Sequence, residues 1–228
     1  MDGRIQPARA SRLYYPWTMS DASEILDTQA DLDRAVDRLM SLDRRLKRIV
    51  KATGVPPLRR RPAGLRGLAR IIVGQQVSTA SAEAIWGRLE TAFPALTPAD
   101  VLGATDEKLG TIGLSAAKMK SLRHIATEIV EKRLDLNTLA HCSADEAHAK
   151  LTALRGVGPW TADVYLLFCL GNADAWPAAD LGIQEGLKRG LALENRPTTK
   201  ETSALGDKWR PLRGAAAHLW WAYARVEA

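Results

Sequence analysis

The stretch Leu154-Arg155-Gly156-Val157-Gly158-Pro159-Trp160-Thr161-Ala162 decides how the rest of the chain reads. Helical periodicity runs into it and out of it. Gly156 and Gly158, two positions apart, permit a tight turn at positive φ without a Cβ clash. Val157 sits between them as an apolar plug. Pro159 suits the first position of the next helix, where its missing N–H and fixed φ cost nothing. The product is a helix start with free backbone N–H groups. Such a start binds anions, and bare glycines let a phosphate come close. That contact holds a nucleic-acid backbone without reading its sequence. A bare Gly-x-Gly between helices is also an ordinary turn, since glycine is the default turn residue. The full string is far more specific.

Downstream lies Asp174-Ala175-Trp176-Pro177-Ala178-Ala179-Asp180-Leu181-Gly182-Ile183. Pro177 breaks the chain and Asp180 precedes a new helical pattern. Asp is a favoured N-cap, and by local chemistry alone a cap is the reading of Asp180. The helix dipole favours negative charge there. A fixed carboxylate is also what stabilises the positive, oxocarbenium-like charge of a breaking glycosidic bond. Cap and catalyst are therefore compatible in one residue. Asp174 reads as a loop or cap residue, and Asp163 and Glu185 as helix-surface charges.

The rest of the chain is helical in pattern. Leu32, Val36, Leu39, Leu42, Leu46, Ile49 and Val50 predict one helix over about 31–53, stopped by Gly54 and the prolines 56 and 57. Arg59-Arg60-Arg61-Pro62 is a basic loop. Further helices are expected over about 64–73, after Ser78, over 98–103, 105–110 and 116–132, from a Ser143 cap to Leu154, and over 161–170, 181–191 and 208–225. No strand ladder and no repeat is found. The fold class is all-α, in two helical lobes.

Composition narrows the function classes. The 228 residues carry a net charge of +6 and a pI near 9.5, a balance that suits a polyanionic partner. Cys142 and Cys169 lie far apart in sequence. They cannot hold a four-cysteine iron–sulfur cluster, they make no disulfide framework, and they fit a reducing cytoplasm. The four histidines form no zinc pattern. No apolar run reaches the roughly 18 residues of a membrane helix. Residues 1–27 lack the apolar core of a signal peptide and read as a mobile leader, with Tyr14, Tyr15 and Trp17 as candidates for packing on the body.

Together, the 154–162 string and the D-x-W-P-x-x-D-L-G-I segment resemble the HhH-GPD superfamily of DNA glycosylases over about residues 30–225. The resemblance implies a glycosylase domain over 28–228. Its hairpin lobe would span about 65–165, its second lobe 28–64 and 166–228, and its active-site cleft would lie between them. No N-terminal β-sheet domain is expected, unlike in some relatives. By the same match, Asp180 is catalytic, and Trp160, Leu181 and Trp209 border the base pocket. Gly156, Gly158, Trp160 and Thr161 hold DNA phosphate. The carbonyls of Thr152, Leu154 and Val157 would bind a monovalent cation, Na+ or K+, and no other cofactor is implied. Gln75 and Gln76 match the segment beside the flipped-out base, with Gln76 nearest the wedge position; by themselves they read as capping or surface amides. Lys118, after the turn Gly113-Leu114-Ser115, is a phosphate candidate that by itself reads as a solvated lysine. Trp220 and Trp221 read as core.

Trp160 selects a branch. The lyase-type relatives carry a Schiff-base lysine at that position, and tryptophan has no nucleophilic amine. The resemblance is therefore to the monofunctional alkylated-base branch, the 3-methyladenine DNA glycosylase II type. It implies hydrolysis of 3-methyladenine- or 7-methylguanine-type bases from double-stranded DNA, by a monomer, in the cytoplasm at the nucleoid. The Trp160 face can stack on a cationic flipped base, or the ring can close the hairpin as a core residue. Two other readings stay open: a glycosylase for a different lesion, and a non-catalytic DNA-binding module that uses the hairpin and gives Asp180 no role.

Overall fold

A computed structural model describes residues 24–226. Among these the chain forms α1 (Gln29–Leu42), α2 (Leu46–Thr53), α3 (Gly64–Val73), α4 (Thr79–Ala92), α5 (Pro98–Gly103), α6 (Asp106–Ile112), α7 (Ala116–Val130), α8 (Ala144–Thr152), α9 (Pro159–Phe168), α10 (Leu181–Gly190), α11 (Thr199–Gly206) and α12 (Arg213–Tyr223). Two short 3-10 turns, Thr138–His141 and Asp207–Trp209, complete the regular structure. No strand forms among the described residues; a single bridge pairs Ile25 with Asn172. No helix is long and apolar enough to cross a membrane. Tyr14, Tyr15 and Trp17 lie outside the described residues.

Most helix starts are written in short polar side chains. Thr28, Ser78, Thr97, Thr105, Ser115, Ser143, Asp180 and Thr198 each accept a backbone N–H of the turn they begin. Thr28, Thr97 and Thr198 do so in reciprocal capping boxes.

The helices pack in two sets. One joins α3 to α4, α7 and α9, α5 to α7, and α8 to α9. The other gathers α1, α2 and α10 on α12, with α11 on α10. Helix α9 is the seam. One of its faces turns to α3, where the Gly64 N–H donates to the Tyr165 hydroxyl at 2.9 Å. The other turns to α12, where Phe168 stacks on Trp221 with centroids 5.3 Å apart. Gly214 lets α12 approach: a Cβ there would lie 2.7 Å from Leu167 Cδ1.

Four expectations about the chain's course are corrected. Residues 31–53 are two helices, because the chain turns extended at Asp43. The Asp43 carboxylate collects the Arg45 guanidinium and the Trp209 indole N–H, and Arg45 beside it holds its carboxyl down to about 2. That exchange of donors stands in for a straight helix. The span 208–225 is also divided, since the 3-10 turn and Pro211 precede α12. Helix α11 is additional to the helices expected from the pattern, although its Thr198-x-x-Glu201 capping box is legible. Lastly, residues 24–27 belong to the body: Leu26 is buried and its N–H donates to the Gly171 carbonyl at 2.7 Å.

Candidate active site at a helix hairpin

The hairpin joins α8 to α9. Gly156 has φ of 80°, and a Cβ there would fall 1.9 Å from Ser121 Oγ, so both conformation and space require glycine. Val157 is buried, and its N–H closes the turn on the Leu154 carbonyl at 3.1 Å. Gly158 is exposed, with nothing within 4 Å of where a Cβ would stand. It begins α9 with no side-chain cap, so the first N–H groups of α9 have no capping side-chain acceptor.

The Gly74-Gln75-Gln76 turn abuts this hairpin. Gln75 Nε2 donates to the Gly156 carbonyl at 3.1 Å and to Thr161 Oγ1 at 2.9 Å. Gln75 and Thr161 are therefore spent on holding the turn and hairpin together, and Thr161's side chain is buried. Gln76 differs. It is exposed and has φ of 55°, a left-handed conformation costly for a residue with a Cβ.

Asp180 caps α10 and is the meeting point of both helix sets. Its Oδ1 accepts from the Gly182 and Ile183 N–H groups at 2.8 and 3.1 Å and from Trp221 Nε1 at 2.7 Å. Its Oδ2 accepts from Trp160 Nε1 at 2.8 Å. Trp160 stands on the first turn of α9, so one indole links the open helix start to the carboxylate. Trp160 is half-buried, and its polar edge is committed to Asp180. Leu181, 61% exposed, projects beside the carboxylate as an apolar surface.

The segment before Asp180 is anchored at Asp174. Arg213 clamps its two oxygens at 2.8 Å each, and Arg210 adds a bond at 2.8 Å. Asp174 is thus a tether between this loop and the start of α12. Glu185 lies on α10, half-buried.

Three assignments are overturned by burial. Trp209 does not border a pocket: it is fully buried, donates to Asp43 at 3.1 Å, and packs between Trp176 and Trp220. Lys118 does not reach solvent; its Nζ donates to the Val73 carbonyl at 2.7 Å, stitching α7 to the end of α3, and burial lowers its pKa. Asp163 is not a surface charge. Burial pushes its carboxyl up to about 7 against the opposing charge of Arg213, and the His148 ring lies 3.6 Å from it.

One residue at the site was missed. The sequence places Trp221 in the core with Trp220, and in the structure Trp221 donates to Asp180. Neighbours on a helix point about 100° apart, so both members of the pair cannot face the same core. Behind Trp221, Phe168 stacks on it and buried His218 meets both rings edge-on. Burial holds the His218 pKa down to about 4, so the imidazole is neutral; its Nδ1 bonds the Gly214 carbonyl at 2.8 Å. Among the described residues no cluster of His, Cys, Asp and Glu could hold a metal ion.

The sequence and the fold are similar to those of known proteins. The sequence pattern of the HhH-GPD superfamily base excision DNA repair proteins matches residues 69–211, which include the 74–76 turn, the hairpin and Asp180. A DNA-3-methyladenine glycosylase of Schizosaccharomyces pombe is 30% identical, over 88% of this chain and 91% of its own length. A probable bifunctional transcriptional activator/DNA repair enzyme of Mycobacterium tuberculosis is 33% identical; this chain spans 44% of its length. Among solved structures, the S. pombe 3-methyladenine DNA glycosylase in complex with abasic DNA superimposes with a TM-score of 0.75 and 30% identity, covering 82% of this chain and 95% of that one. A DNA-3-methyladenine glycosidase of Bacillus halodurans gives 0.74 and 30%, covering 89% and 92%. With hairpin, seam helix and capped aspartate in one matched span, the chain belongs to the HhH-GPD superfamily of base excision DNA repair proteins.

Proposed function

We propose that this chain is a monofunctional DNA glycosylase that hydrolyses the N-glycosidic bond of alkylated bases in double-stranded DNA. The observation that carries the reading is the Asp180 carboxylate, held by four N–H donors from α10, α12 and α9. The open start of α9 takes a phosphate of the damaged strand through the N–H groups beyond Gly158. Gln76, exposed at the tip of its turn, fills the gap left by the flipped nucleotide, while Gln75 braces the turn. The base stacks against Trp160 and Leu181, whose apolar surfaces suit a base that has lost its pairing partner.

The bond between C1′ and the base nitrogen then breaks, and its electron pair leaves with the base. A base alkylated at N3 or N7 departs neutral and needs no proton. Positive charge develops on the sugar within reach of the fixed carboxylate, which stabilises it electrostatically. Water adds at C1′ and gives up a proton, leaving an abasic site. No amine stands at position 160 to form a Schiff base, so the strand is not cut.

The hairpin carbonyls fit a monovalent cation. No backbone N–H among the described residues donates to the carbonyls of Thr152 or Val157, and that of Leu154 accepts one bond, from Val157. A Na+ or K+ held there supplies positive charge next to the bound phosphate. The protein acts as a monomer in this reading.

The test is incubation with methylated duplex DNA, followed by chromatography for free base and borohydride trapping for a covalent adduct. Release of 3-methyladenine or 7-methylguanine without a trapped adduct is expected. A trapped adduct would overturn the monofunctional assignment. Absence of release from alkylated, deaminated and oxidised duplexes alike would leave a DNA-binding module.

A further inference from the structure

The basic run Arg59-Arg60-Arg61 has no role in the chemistry above, and its three guanidiniums are treated differently. Arg60 turns inward: it donates to the Phe168 carbonyl and to Asp27, each at 3.2 Å. Its neighbours do not. Neither Arg59 nor Arg61 donates a side-chain hydrogen bond or forms an ion pair with any described residue.

Arg61 is placed at the site. Its backbone N–H bonds the Phe168 carbonyl at 2.9 Å, and its guanidinium lies over the Phe168 ring at 5.6 Å. Phe168 stacks on Trp221, and Trp221 donates to Asp180. A continuous line of contact thus runs from the carboxylate to Arg61, along the face of α9 that starts at Trp160. The line ends at the opposite end of α9 from the hairpin.

The local charges leave Arg61 uncompensated. It is half-buried, and burial together with nearby Arg70 lowers its pKa. Glu83, the nearby carboxylate, is already engaged by Arg70 through two bonds of 2.7 Å. Arg59, exposed, has Arg225 for its charged neighbour, another repulsion. A guanidinium carries five donors that ordinarily find acceptors, and desolvating one without a partner is costly. A cluster of such cations stays stable when an anion comes to it.

We infer that Arg59 and Arg61 form a second phosphate seat, which grips the backbone of the damaged strand across the Asp180 site from the hairpin. The hairpin then holds one flank of the flipped nucleotide through backbone N–H groups, and the arginine loop holds the other through side chains. Guanidinium suits this task because its planar fork matches phosphate oxygens. The inference rests on the glycosylase reading, and the experiment separates the two.

The experiment is fluorescence anisotropy with a duplex that carries a tetrahydrofuran abasic analogue, titrated at several salt concentrations. Wild-type binding should weaken steeply with salt. Arg61→Ala and Arg59→Ala should each weaken binding about tenfold at low salt. Each should also flatten the plot of log K against log salt by about 0.9. Arg61→Lys should keep the slope and bind more weakly, as a point charge in place of a fork. Arg34→Ala, at a 68% exposed side chain on α1, should change neither quantity. Arg59→Ala alters an exposed side chain and so keeps the test free of folding effects. Wild-type slopes in both alanine variants would overturn the second seat and leave the glycosylase reading intact. No salt-dependent binding by the wild type would overturn both.

Discussion

Two helices begin within one hydrogen bond of each other, and they begin in opposite ways. Helix α9 starts at Gly158 with no side-chain cap, and a Cβ there would meet nothing within 4 Å. Helix α10 starts at Asp180, whose carboxylate fills the equivalent place and takes two of the helix's own N–H groups. The dipoles at the two ends are alike, so the difference lies in who supplies the negative charge. At α9 it is left for a ligand, and a bare helix start is an anion site. At α10 it is built in, and a fixed anion is a site for developing positive charge. Trp160, standing on α9 and bonded to Asp180 at 2.8 Å, sets the distance between the two. In the proposed reading, phosphate grip and bond-breaking centre are thereby held in register by a single indole.

The largest effect is expected from altering the filled end without emptying it. In Asp180→Asn the amide oxygen can still accept from Gly182, Ile183 and Trp221, so the cap persists and stability should change by no more than about 1 kcal/mol. The negative charge is gone, and the amide N–H2 would face the Trp160 indole N–H donor to donor. Base excision should fall by at least about 100-fold while affinity for abasic duplex is kept. Single-turnover excision measured beside anisotropy checks this. Near-wild-type excision would reduce Asp180 to a cap and break the contrast between the two ends.

A smaller effect is expected from filling the open end. Gly158 has φ of −85°, which alanine adopts freely, and an added methyl meets nothing in the protein. Gly158→Ala should therefore melt within about 1 kcal/mol of wild type. The methyl would stand where phosphate must come, and affinity for duplex should drop about tenfold. Gly156 cannot serve this purpose, because its Cβ would collide with Ser121. Unchanged affinity in Gly158→Ala would mean that the phosphate does not approach over that residue.

The parts of this comparison that were legible in the sequence are the local ones. Gly156, Gly158, Pro159 and Asp180 act through φ, missing atoms and caps, which depend on a few neighbouring positions. The all-α class followed from periodicity in the same way. What was not legible depends on packing between distant elements. Trp209 and Trp221 are alike as residue types, and three-dimensional packing decides that one joins Asp43 in the core and the other faces Asp180. Lys118 reads as solvated until α7 is laid against α3. The break at Asp43 is held in part by an indole 166 positions away in sequence.

Asp163 extends the contrast to a second carboxyl on the seam helix, and it carries the smallest effect. Asp180 is given four donors; Asp163 accepts no hydrogen bond from a described residue, with His148 at 3.6 Å. Burial pushes the Asp163 carboxyl up to about 7, against the opposing pull of Arg213. In the unfolded chain it titrates near 4. Between those values the folded protein keeps a proton that the unfolded chain has lost, so folding stability falls as pH rises through this window. Asparagine has no proton to lose. Asp163→Asn should match wild type at the acidic end and gain roughly 1–2 kcal/mol on it, a few degrees of Tm, once pH passes 7. Thermal melts of both proteins across that range supply the check. Parallel curves would show that His148 and Arg213 compensate the ionised carboxylate, and that the seam helix treats its two neighbouring carboxyls alike.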